Sequence, residues 1–248
     1  MKKQKIRTTI LFQNTHLFMR SGYPTPKPHK HLAVHLLFAE KGELRCRIKE
    51  ENVCGKGICI ASDVEHTAFA AGEGMLVFLF DETSSYAMQL KERFLKGKDY
   101  VLLEETLVQE ILGWWEQKGN EPELFDKKVL EVLGMTEEAS GKYDERVEAM
   151  LQEIGELETI TPEVFTILGR KLCLSKSRLS HLFKENVGIA PVRYLVLEKM
   201  RKCYRYYTEN GNITQSCMKA GFDTPSHFAA TCKRMFGISF SEFAKSTK

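Results

Sequence analysis

Four histidines within the first 66 residues of this 248-residue sequence have a spacing that suits a shared binding site. His29, His31 and His35 stand at odd-numbered positions, so on a β-strand, where successive side chains alternate between faces, all three would point to one side. His66 follows a predicted strand and turn. Four imidazoles could hold a divalent Zn, Fe, Ni or Cu ion, or they could hydrogen-bond an organic effector in a pocket. The residues alone leave both alternatives open.

A second set of candidate binding residues lies in a repeated segment near the C-terminus. Residues 179–189 match residues 228–238 at a constant spacing of 49 positions, and Gly188 and Gly237 close the two copies. A repeat of this period indicates that one helical unit occurs twice. Each copy predicts a short helix, a tight turn and a second helix that exposes Ser, His, Lys and Arg. This is the pattern of a helix-turn-helix, whose buried first helix holds the second in the major groove of DNA.

Positive charge is concentrated in the same part of the chain. Residues 1–90 carry a net charge of +3, residues 91–164 carry −10 and residues 165–248 carry +10. Such asymmetry is typical of a nucleic-acid-binding end on an otherwise balanced protein. A solvated basic surface without a partner would have the same charge, but the repeated helical hairpin on this segment favours DNA.

Two classes of protein are disfavoured by the sequence. No apolar run approaches the ~18 residues of a membrane helix, and the basic N-terminus is not followed by the apolar core of a signal peptide. The seven cysteines are odd in number and lack a framework spacing. They predict reduced thiols in a cytoplasmic protein rather than a disulfide scaffold.

The elements that must position the histidines are predicted to be β-strands. Short apolar runs between Gly-containing breaks indicate strands at 32–38, 44–48, 57–61 and 75–80. The intervals between these runs favour a sandwich or barrel over units in which strands and helices alternate. Residues 1–90 are therefore predicted to form an all-β domain.

Residues 91–142 change to helical periodicity. Leu107, Ile111 and Trp115 fall at helical spacing on one stripe. We expect a helical linker segment here, which either packs against the barrel or serves as a dimerisation helix with Trp114 and Trp115 as candidate anchors.

Residues 143–248 are predicted to be all helical, and they position the repeated binding residues. Helices are expected at Lys176–Asn186, Pro191–Tyr207 and Pro225–Phe236, with Ser175 capping the first of them. The leading helices of the two copies are expected to pack through apolar faces, formed by Val164, Ile167 and Leu168 in the first copy and by Ile213, Cys217 and Met218 in the second.

The repeated segment carries a resemblance to a known family. MKAGFDTPSHF (218–228) with KRMFGIS (233–239) resembles the signature of AraC/XylS-type transcription regulators, and LSKSRLSHLFK (174–184) resembles their first helix-turn-helix. The resemblance covers about residues 143–248. It implies a seven-helix domain in which one long helix joins two helix-turn-helix units. It also implies a cytoplasmic, homodimeric regulator that binds double-stranded DNA, with RNA polymerase as a further partner.

The sequence departs from the family pattern in both units. Ala230 stands where members often carry Arg, and Cys173 in the first turn stands where they often have Gly. Because Ala229 and Ala230 cannot donate hydrogen bonds to bases, we expect the first unit to read most of the sequence and the second to contact mainly phosphates. The predicted contacts of the first unit are Ser177, Arg178, Ser180 and His181, with Lys184 beside them, and those of the second are Thr224, Ser226, His227, Lys233 and Arg234.

The segment Gly55–His66 resembles the strand and turn of cupin barrels, in which a Gly starts the strand and a His returns to the pocket. AraC-type regulators commonly carry a cupin-like sensor in front. Cupin enzymes hold a divalent metal through a His-x-His pair, a third residue that is often Glu, and a later His; here His35 takes the third place. The resemblance therefore implies a metal or effector pocket formed by His29, His31, His35 and His66.

The leading interpretation is a transcription regulator with a cupin-like sensor at 1–90, a helical segment at 91–142 and a DNA-binding domain at 143–248. The effector would bind in the barrel. The alternative from another class is a metal-dependent cupin enzyme, a dioxygenase or isomerase, with a DNA-binding tail. A third option is a ligand-free regulator whose front domain only dimerises.

Overall fold

The computed structural model describes residues 9–13, 15–21, 27–70, 74–136 and 143–236. The chain divides into two compact units; one contains residues 1–138 and the other is formed by residues 139–233. The front unit is built on β-strands and the back unit on helices, as the sequence predicts. No helix in these ranges is long and apolar enough to cross a membrane.

The front unit has two antiparallel sheets. The larger sheet has the strand order β1-β2-β8-β3-β6-β9 and the smaller has the order β5-β4-β7. The four predicted strands are present, and the others have weaker local patterns. The strands are β1 Thr9–Phe12, β2 His16–Ser21, β3 Ala33–Ala39, β4 Leu44–Ile48, β5 Glu51–Gly55, β6 Gly57–Ile60, β7 His66–Ala70, β8 Met75–Asp81 and β9 Tyr100–Leu102.

The larger sheet is covered on both faces, which explains why β3 and β8 are buried along their whole length. Alternate residues of the central strands point to opposite sides. One set joins a core with the helices that follow the sheet, and includes Leu36 and Phe78. The other set, which includes His35 and Val77, lines a cavity shared with β7 of the smaller sheet. We call this second side of the larger sheet the lumen face.

The segment predicted as a helical linker, 91–142, contributes to the front unit. Helix α1, Ser85–Leu90, comes just before it and continues into a π-helical turn at Lys91–Leu95. Strand β9 then pairs with β6, and two helices follow, α2 Glu105–Lys118 and α3 Pro122–Val132. Ile111 and Phe125 are fully buried in the core against the sheet. Trp115 packs its ring 5.0 Å from that of Phe125. The predicted packing against the barrel is thus observed, while the dimerisation role stays a prediction.

A buried hydrogen bond joins α3 to the sheet. The ring nitrogen Nε2 of His16 lies 2.6 Å from a carboxylate oxygen of Asp126, and both side chains are almost inaccessible to solvent. The His16 ring also stacks on Phe80 at 4.9 Å. Because both side chains are buried and hydrogen-bonded to each other, this contact fixes the position of α3 on β2.

The back unit contains the duplicated helical hairpin. Its helices are α4 Glu145–Glu156, α5 Val164–Lys171, α6 Lys176–Val187, α7 Pro191–Asn210, α8 Ile213–Ala220 and α9 Pro225–Phe236. The bounds of α8 and α9 follow those of α5 and α6 at the same spacing of 49 as the sequence repeat. The predicted helices at 176–186, 191–207 and 225–236 are therefore confirmed. A seventh helix would fall in 237–248, outside the described residues.

The apolar faces of the leading helices differ in part from the prediction. Val164 and Leu168 are buried as expected, but Ile167 is 49% exposed and Phe165 is buried instead. In the second copy Cys217 is fully buried whereas Met218 is 46% exposed. Successive residues of a helix point 100° apart. Ile167 and Met218 therefore point away from the core although each adjoins a buried residue and is itself apolar.

Two lysines of helix α7 reach the C-terminal ends of other helices in this unit. Lys199 Nζ donates to the carbonyl of Gly221 at 2.6 Å, just beyond α8. Lys202 Nζ donates to the carbonyl of Gly155 at 2.7 Å, in the last turn of α4. Cations at helix C-termini satisfy free carbonyls and complement the helix dipole. The long helix therefore holds α4 and α8 in place by charge as well as by packing.

The turn between α5 and α6 contains a strained residue that yields a test. Cys173 is exposed and has a φ of 53°, in the left-handed region that favours glycine. We expect Cys173→Gly to stabilise the back unit by about 1 kcal/mol, because glycine adopts this conformation without the Cβ penalty. Thermal unfolding of the full chain should show the back-unit transition raised by roughly 4–8 °C.

The matched control for this change is Cys173→Ala, which removes the thiol and keeps Cβ. This variant should leave the midpoint temperature of the back-unit transition unchanged. An equal rise in midpoint temperature for both variants would mean that loss of the thiol is stabilising, and it would contradict the explanation by backbone strain.

Candidate functional site

The four predicted histidines of the front unit meet at one end of the cavity, and we call them the histidine cluster. His35 comes from β3 and His66 starts β7. His29 is held beside His66 by two backbone hydrogen bonds, of 3.1 and 2.9 Å, between the N–H of each and the carbonyl of the other. The carbonyl of His31 accepts from the N–H of Asp63 at 2.8 Å. Both sheets and the segment before β3 thus supply the cluster.

The imidazole rings are in mutual contact. Ring centroids lie 4.0 Å apart for His31 and His35, 4.7 Å for His35 and His66, and 4.8 Å for His29 and His66. One nitrogen from each of His29, His31 and His66 lies within 4.8 Å of the others. That separation is close enough for one ion to contact all three rings.

Two of the rings are oriented by backbone carbonyls. Nδ1 of His29 lies 2.8 Å from the carbonyl of Lys27, and Nδ1 of His66 lies 2.9 Å from the carbonyl of Val64. A carbonyl can only accept, so each Nδ1 must carry the proton, and Nε2 of each neutral ring keeps a lone pair. Metal-binding histidines are usually held in this way by a partner on their other nitrogen.

The other two rings face each other inside the protein. Nε2 of His35 lies 2.7 Å from Nδ1 and 2.9 Å from Nε2 of His31. Across the described parts of the chain, Nδ1 of His35 is one of the few buried side-chain atoms without a hydrogen-bond partner. Neutral imidazoles placed this close fit a site that takes a cation, and the three whose nitrogens converge are His29, His31 and His66.

Burial keeps the cluster uncharged. It lowers the pKa of His66 to about 4, and it also lowers the pKa of His29. For His31 and His35, burial and the neighbouring rings together hold the pKa well below its usual range. Neutral imidazole is the form that coordinates metals.

The cavity beside the cluster is small and otherwise apolar. The space open to the centre of a water molecule is about 20 Å³, which is room for one ion or water. Pockets for organic ligands are usually several hundred Å³, ~300–1,000. Among the described residues no carboxylate lines the cavity, whose other walls are Met19, Leu37, Ala68, Met75, Val77 and Leu79.

The thioethers of Met19 and Met75 are cavity residues that the sequence interpretation missed. Met75 begins a predicted strand, and its alternation with Val77 could have placed it on the face of His35. Met19 lies on β2, a strand that the sequence pattern did not reveal. Only strand pairing brings it beside β8.

In the back unit, the predicted DNA contacts of the first copy lie on helix α6. Ser177, Arg178, His181 and Lys184 are exposed, and Ser180 is half-buried. Ser175 caps the helix by accepting from the N–H of Arg178 at 3.3 Å. His181 Nδ1 lies 3.1 Å from a carboxylate oxygen of Glu185 one turn further on. The helix therefore presents one polar outer face.

The predicted contacts of the second copy lie on or just before α9 and are also exposed: Thr224, Ser226, His227, Lys233 and Arg234. Thr224 caps this helix by accepting from the N–H of His227 at 3.0 Å, as Ser175 does in the first copy. Nδ1 of His227 lies 3.2 Å from a carboxylate oxygen of Asp223. The two caps stand at equivalent positions of the repeat.

The outer faces of α6 and α9 differ in chemistry at corresponding positions of the repeat, which are 49 residues apart. Ala229 and Ala230, both exposed, stand where the first copy has Ser180 and His181. Lys233 stands at the position of Lys184. The outer face of α9 therefore offers methyl groups at its middle and cations near its end, whereas α6 offers hydrogen-bonding groups along its length.

Comparison with protein families finds a helix-turn-helix domain model that matches residues 168–246. Comparison with curated protein sequences finds no match. These matched residues contain all of α6, α7 and α8 and the described part of α9, the elements that carry the predicted contacts.

Solved structures of ToxT from Vibrio cholerae share the fold. An apo single-residue variant of ToxT has 12% identity and a TM-score of 0.58, covering 95% of this chain and 99% of that one. ToxT from strain O395 has 12% identity and a TM-score of 0.56, covering 98% of each chain. ToxT bound to an unsaturated fatty acid has 13% identity and a TM-score of 0.55, covering 94% and 95%.

These likenesses extend over both units, and the matched family model falls on the duplicated hairpin. The sequence resemblance, the repeat in three dimensions and the family model therefore agree for the C-terminal part. The back unit carries a helix-turn-helix domain that resembles those of AraC-type regulators, and the chain as a whole shares the fold of the ToxT structures.

Proposed function

We propose that this protein is a transcription regulator that binds DNA through its back unit and senses a metal ion through the histidine cluster of its front unit. The observation that supports DNA binding is the pair of exposed polar helices, α6 and α9, at equivalent positions of a duplicated hairpin. They lie in the part of the chain with a net charge of +10. Positive charge displaces counterions from DNA, and exposed donors reach base edges.

The two helices would divide the work of recognition. On α6, Arg178 and His181 are exposed donors at successive turns, so this helix is suited to reading bases. On α9, the alanines leave Lys233 as the equivalent of Lys184, suited to phosphates. Contacts to phosphates position a protein on the duplex without carrying sequence information.

This division predicts different effects of two substitutions. Arg178→Ala should relax discrimination between operator sequences by about 1–3 kcal/mol, the worth of a good base contact. Lys233→Ala should weaken binding almost equally on all sequences and reduce the slope of log affinity against log salt by about 1. Both predictions are checked by measuring the affinity of the full chain at several salt concentrations. The duplexes compared are an operator selected from genomic fragments and scrambled sequences.

The control for these variants is Arg45→Ala, which removes an exposed arginine from β4 of the front unit. It should leave affinity and salt slope unchanged. Sequence discrimination lost with Lys233→Ala and retained with Arg178→Ala would reverse the assignment of the two helices. Failure of the full chain to bind any genomic fragment at low salt would contradict the DNA-binding function.

A metal ion is the effector that best fits the front unit. The cluster offers two rings already oriented with a free lone pair, and its cavity has room for one ion. The unsaturated fatty acid bound to ToxT is a far larger ligand, and one of that size would need much more space than the ~20 Å³ here. Imidazole ligands suit Zn, Cu, Fe and Ni.

Regulation would follow from linkage between metal binding and DNA binding. A bound ion would join β3, β7 and the segment of His29 and His31, and so connect the two sheets of the front unit. Metal binding can shift the DNA-binding population only by the difference in its affinity for the two states. We propose a regulatory role for the cluster rather than the alternative dioxygenase or isomerase, because its described walls supply only imidazoles and apolar groups.

The domain assignment that we propose keeps the predicted boundaries. Residues 1–90 form the cupin-like sensor, 91–142 a helical segment packed on it, and 143–248 the DNA-binding domain. The half-exposed Trp114 on α2 makes this helical segment our candidate for homodimerisation. RNA polymerase is proposed as a further partner, as for the family that the sequence resembles.

A further inference from the structure

We propose that an ion in the histidine cluster cross-links residues 27–31 to the edge of β7, and that fixing this segment is the structural change by which the front unit senses the ion. We call residues 27–31 the His29 segment. The inference rests on the proposed metal-sensing function and states what the ion does to the fold. It follows from the chain positions of the converging histidines and from the hydrogen bonds that hold the segment.

The three histidines whose nitrogens converge come from two separate pieces of the chain. His29 and His31 belong to the His29 segment, and His66 begins β7. One ring nitrogen of each lies within 4.8 Å of the others. An ion that contacts all three rings therefore joins the segment to the strand, as a structural zinc joins the pieces of chain that supply its ligands.

The backbone of the His29 segment meets β7 at an edge of the smaller sheet. The strand order β5-β4-β7 leaves β7 with β4 as its one named neighbour. Within the described residues, the other side of β7 carries an isolated bridge in which His29 and His66 exchange two backbone hydrogen bonds, of 3.1 and 2.9 Å. A third, from the N–H of Asp63 to the carbonyl of His31, is 2.8 Å long. The segment is thus attached by one residue pair and a neighbouring bond rather than by a ladder.

The side chains of the His29 segment add little apolar burial to these bonds. Lys27, Pro28 and Lys30 are exposed. Lys30 pairs with Asp63 at 3.4 Å, but both partners are exposed, and such surface pairs contribute little. Segments with few buried apolar contacts open locally at low free energy. Leu32, the residue after the segment, is buried, so we expect the opening to end there.

Metal binding opposes this opening by linkage. When the bridge opens, His29 and His31 move away from His66, and the open form keeps too few ligands to hold the ion. A ligand that binds only the closed form makes opening rarer by the factor 1 + [L]/Kd, which is about 100-fold when the free ion is at roughly 100 times its dissociation constant. The ion therefore converts a weakly held segment into a fixed part of the smaller sheet.

The test is hydrogen exchange on the full chain, purified without an affinity tag, with and without zinc(II). The amides of His29, Asp63 and His66 donate the three hydrogen bonds, so each should exchange at least about tenfold more slowly when zinc(II) is bound. The amide of Ala39, which donates to the carbonyl of Lys56 at 2.9 Å elsewhere in the front unit, is the internal control and should not change.

Two substitutions within the segment separate cross-linking from a general effect of zinc(II). His29→Ala keeps the backbone groups of the bridge and removes one imidazole, so the same zinc(II) concentration should slow exchange at Asp63 and His66 by less than about twofold. Lys30→Ala, at the next residue, removes an exposed cation that is outside the converging set, and the slowing should persist.

The outcomes that would overturn the inference differ in what else they affect. Stoichiometric zinc(II) with unchanged exchange at the three amides would refute the cross-link and leave metal sensing in place. Equal slowing at Ala39 would mean that the ion stabilises the front unit as a whole, and it would also refute the cross-link. If the full chain held none of zinc(II), nickel(II) and copper(II), the proposed metal sensing would fail together with this inference.

Discussion

His66→Ala is expected to remove most of the metal from protein purified without an affinity tag, where the unchanged chain retains close to one ion. His66 is the first residue of β7, its Nδ1 donates to the carbonyl of Val64, and Nε2 of the neutral ring keeps the lone pair that a metal needs. Losing one ligand of such a set opens the site to water and weakens binding strongly. His31→Ala should have a similar effect. Elemental analysis of the purified variants measures both.

The control is His181→Ala, which removes an exposed histidine of α6 and should leave the metal content unchanged. The His66 variant should also lose any change in DNA affinity on metal addition while keeping its basal DNA binding. Substoichiometric metal that is unaffected by His66→Ala would contradict the metal site. A pocket for an organic effector would then predict altered effector response with no change in metal content.

Gly221→Ala is expected to destabilise the back unit by more than about 4 kcal/mol, an effect reserved for a short list of severe mechanisms. Gly221 follows α8 with a φ of 101°, a conformation that side-chain-bearing residues rarely adopt. A Cβ there would also overlap the carbonyl oxygen of Ile160. The backbone of Ile160 is tied to this turn, because its N–H donates to the carbonyl of Ala220 at 3.2 Å. The clash therefore cannot be relieved by rotating a side chain.

The matched control is Gly211→Ala, at the end of α7. Gly211 has a φ of 67°, and a Cβ there would contact nothing within 4 Å. Gly211→Ala should lower the stability of the back unit by only about 1–2 kcal/mol, the cost of a left-handed backbone for a residue with Cβ. Denaturant unfolding of the full chain, followed through the back-unit transition, compares the two. Equal losses would mean that the segment of Ile160 moves aside and that backbone conformation alone matters.

The repeat is the part of the fold that the sequence predicts best. Helices α6 and α9 were expected within a residue or two of their observed bounds, because caps, helical periodicity and closing glycines are all local signals. Strands β3, β4, β6 and β8 were expected for a similar reason, since each is a continuous or alternating apolar run. Strand β5, which is largely exposed, and the three-residue β9 have no such pattern.

The four histidines of the candidate site were predicted, and the two methionines that line its cavity, Met19 and Met75, were not. The spacing of His29, His31 and His35 predicted that all three lie on one face of one strand, with His66 returning to them after a later strand and turn. The structure instead places His35 within β3 and the other two in the segment before it, and brings His66 in through a backbone bridge to His29. The methionines carried no signal of their own, because an apolar residue in a strand is more often core than ligand.

By itself, the sequence determined the two-part character of this protein, the duplicated DNA-binding hairpin and the identity of the four histidines. Those properties are encoded in local periodicity, in the constant repeat spacing and in residue type. Tertiary structure decided which face of each apolar strand meets the helices and which meets the cavity, that Ile167 and Met218 are exposed, and that Met19 lines the same cavity as His35 and Met75. Hydrophobic periodicity reports that a face is apolar, but only the pairing of strands distant in sequence decides what covers it.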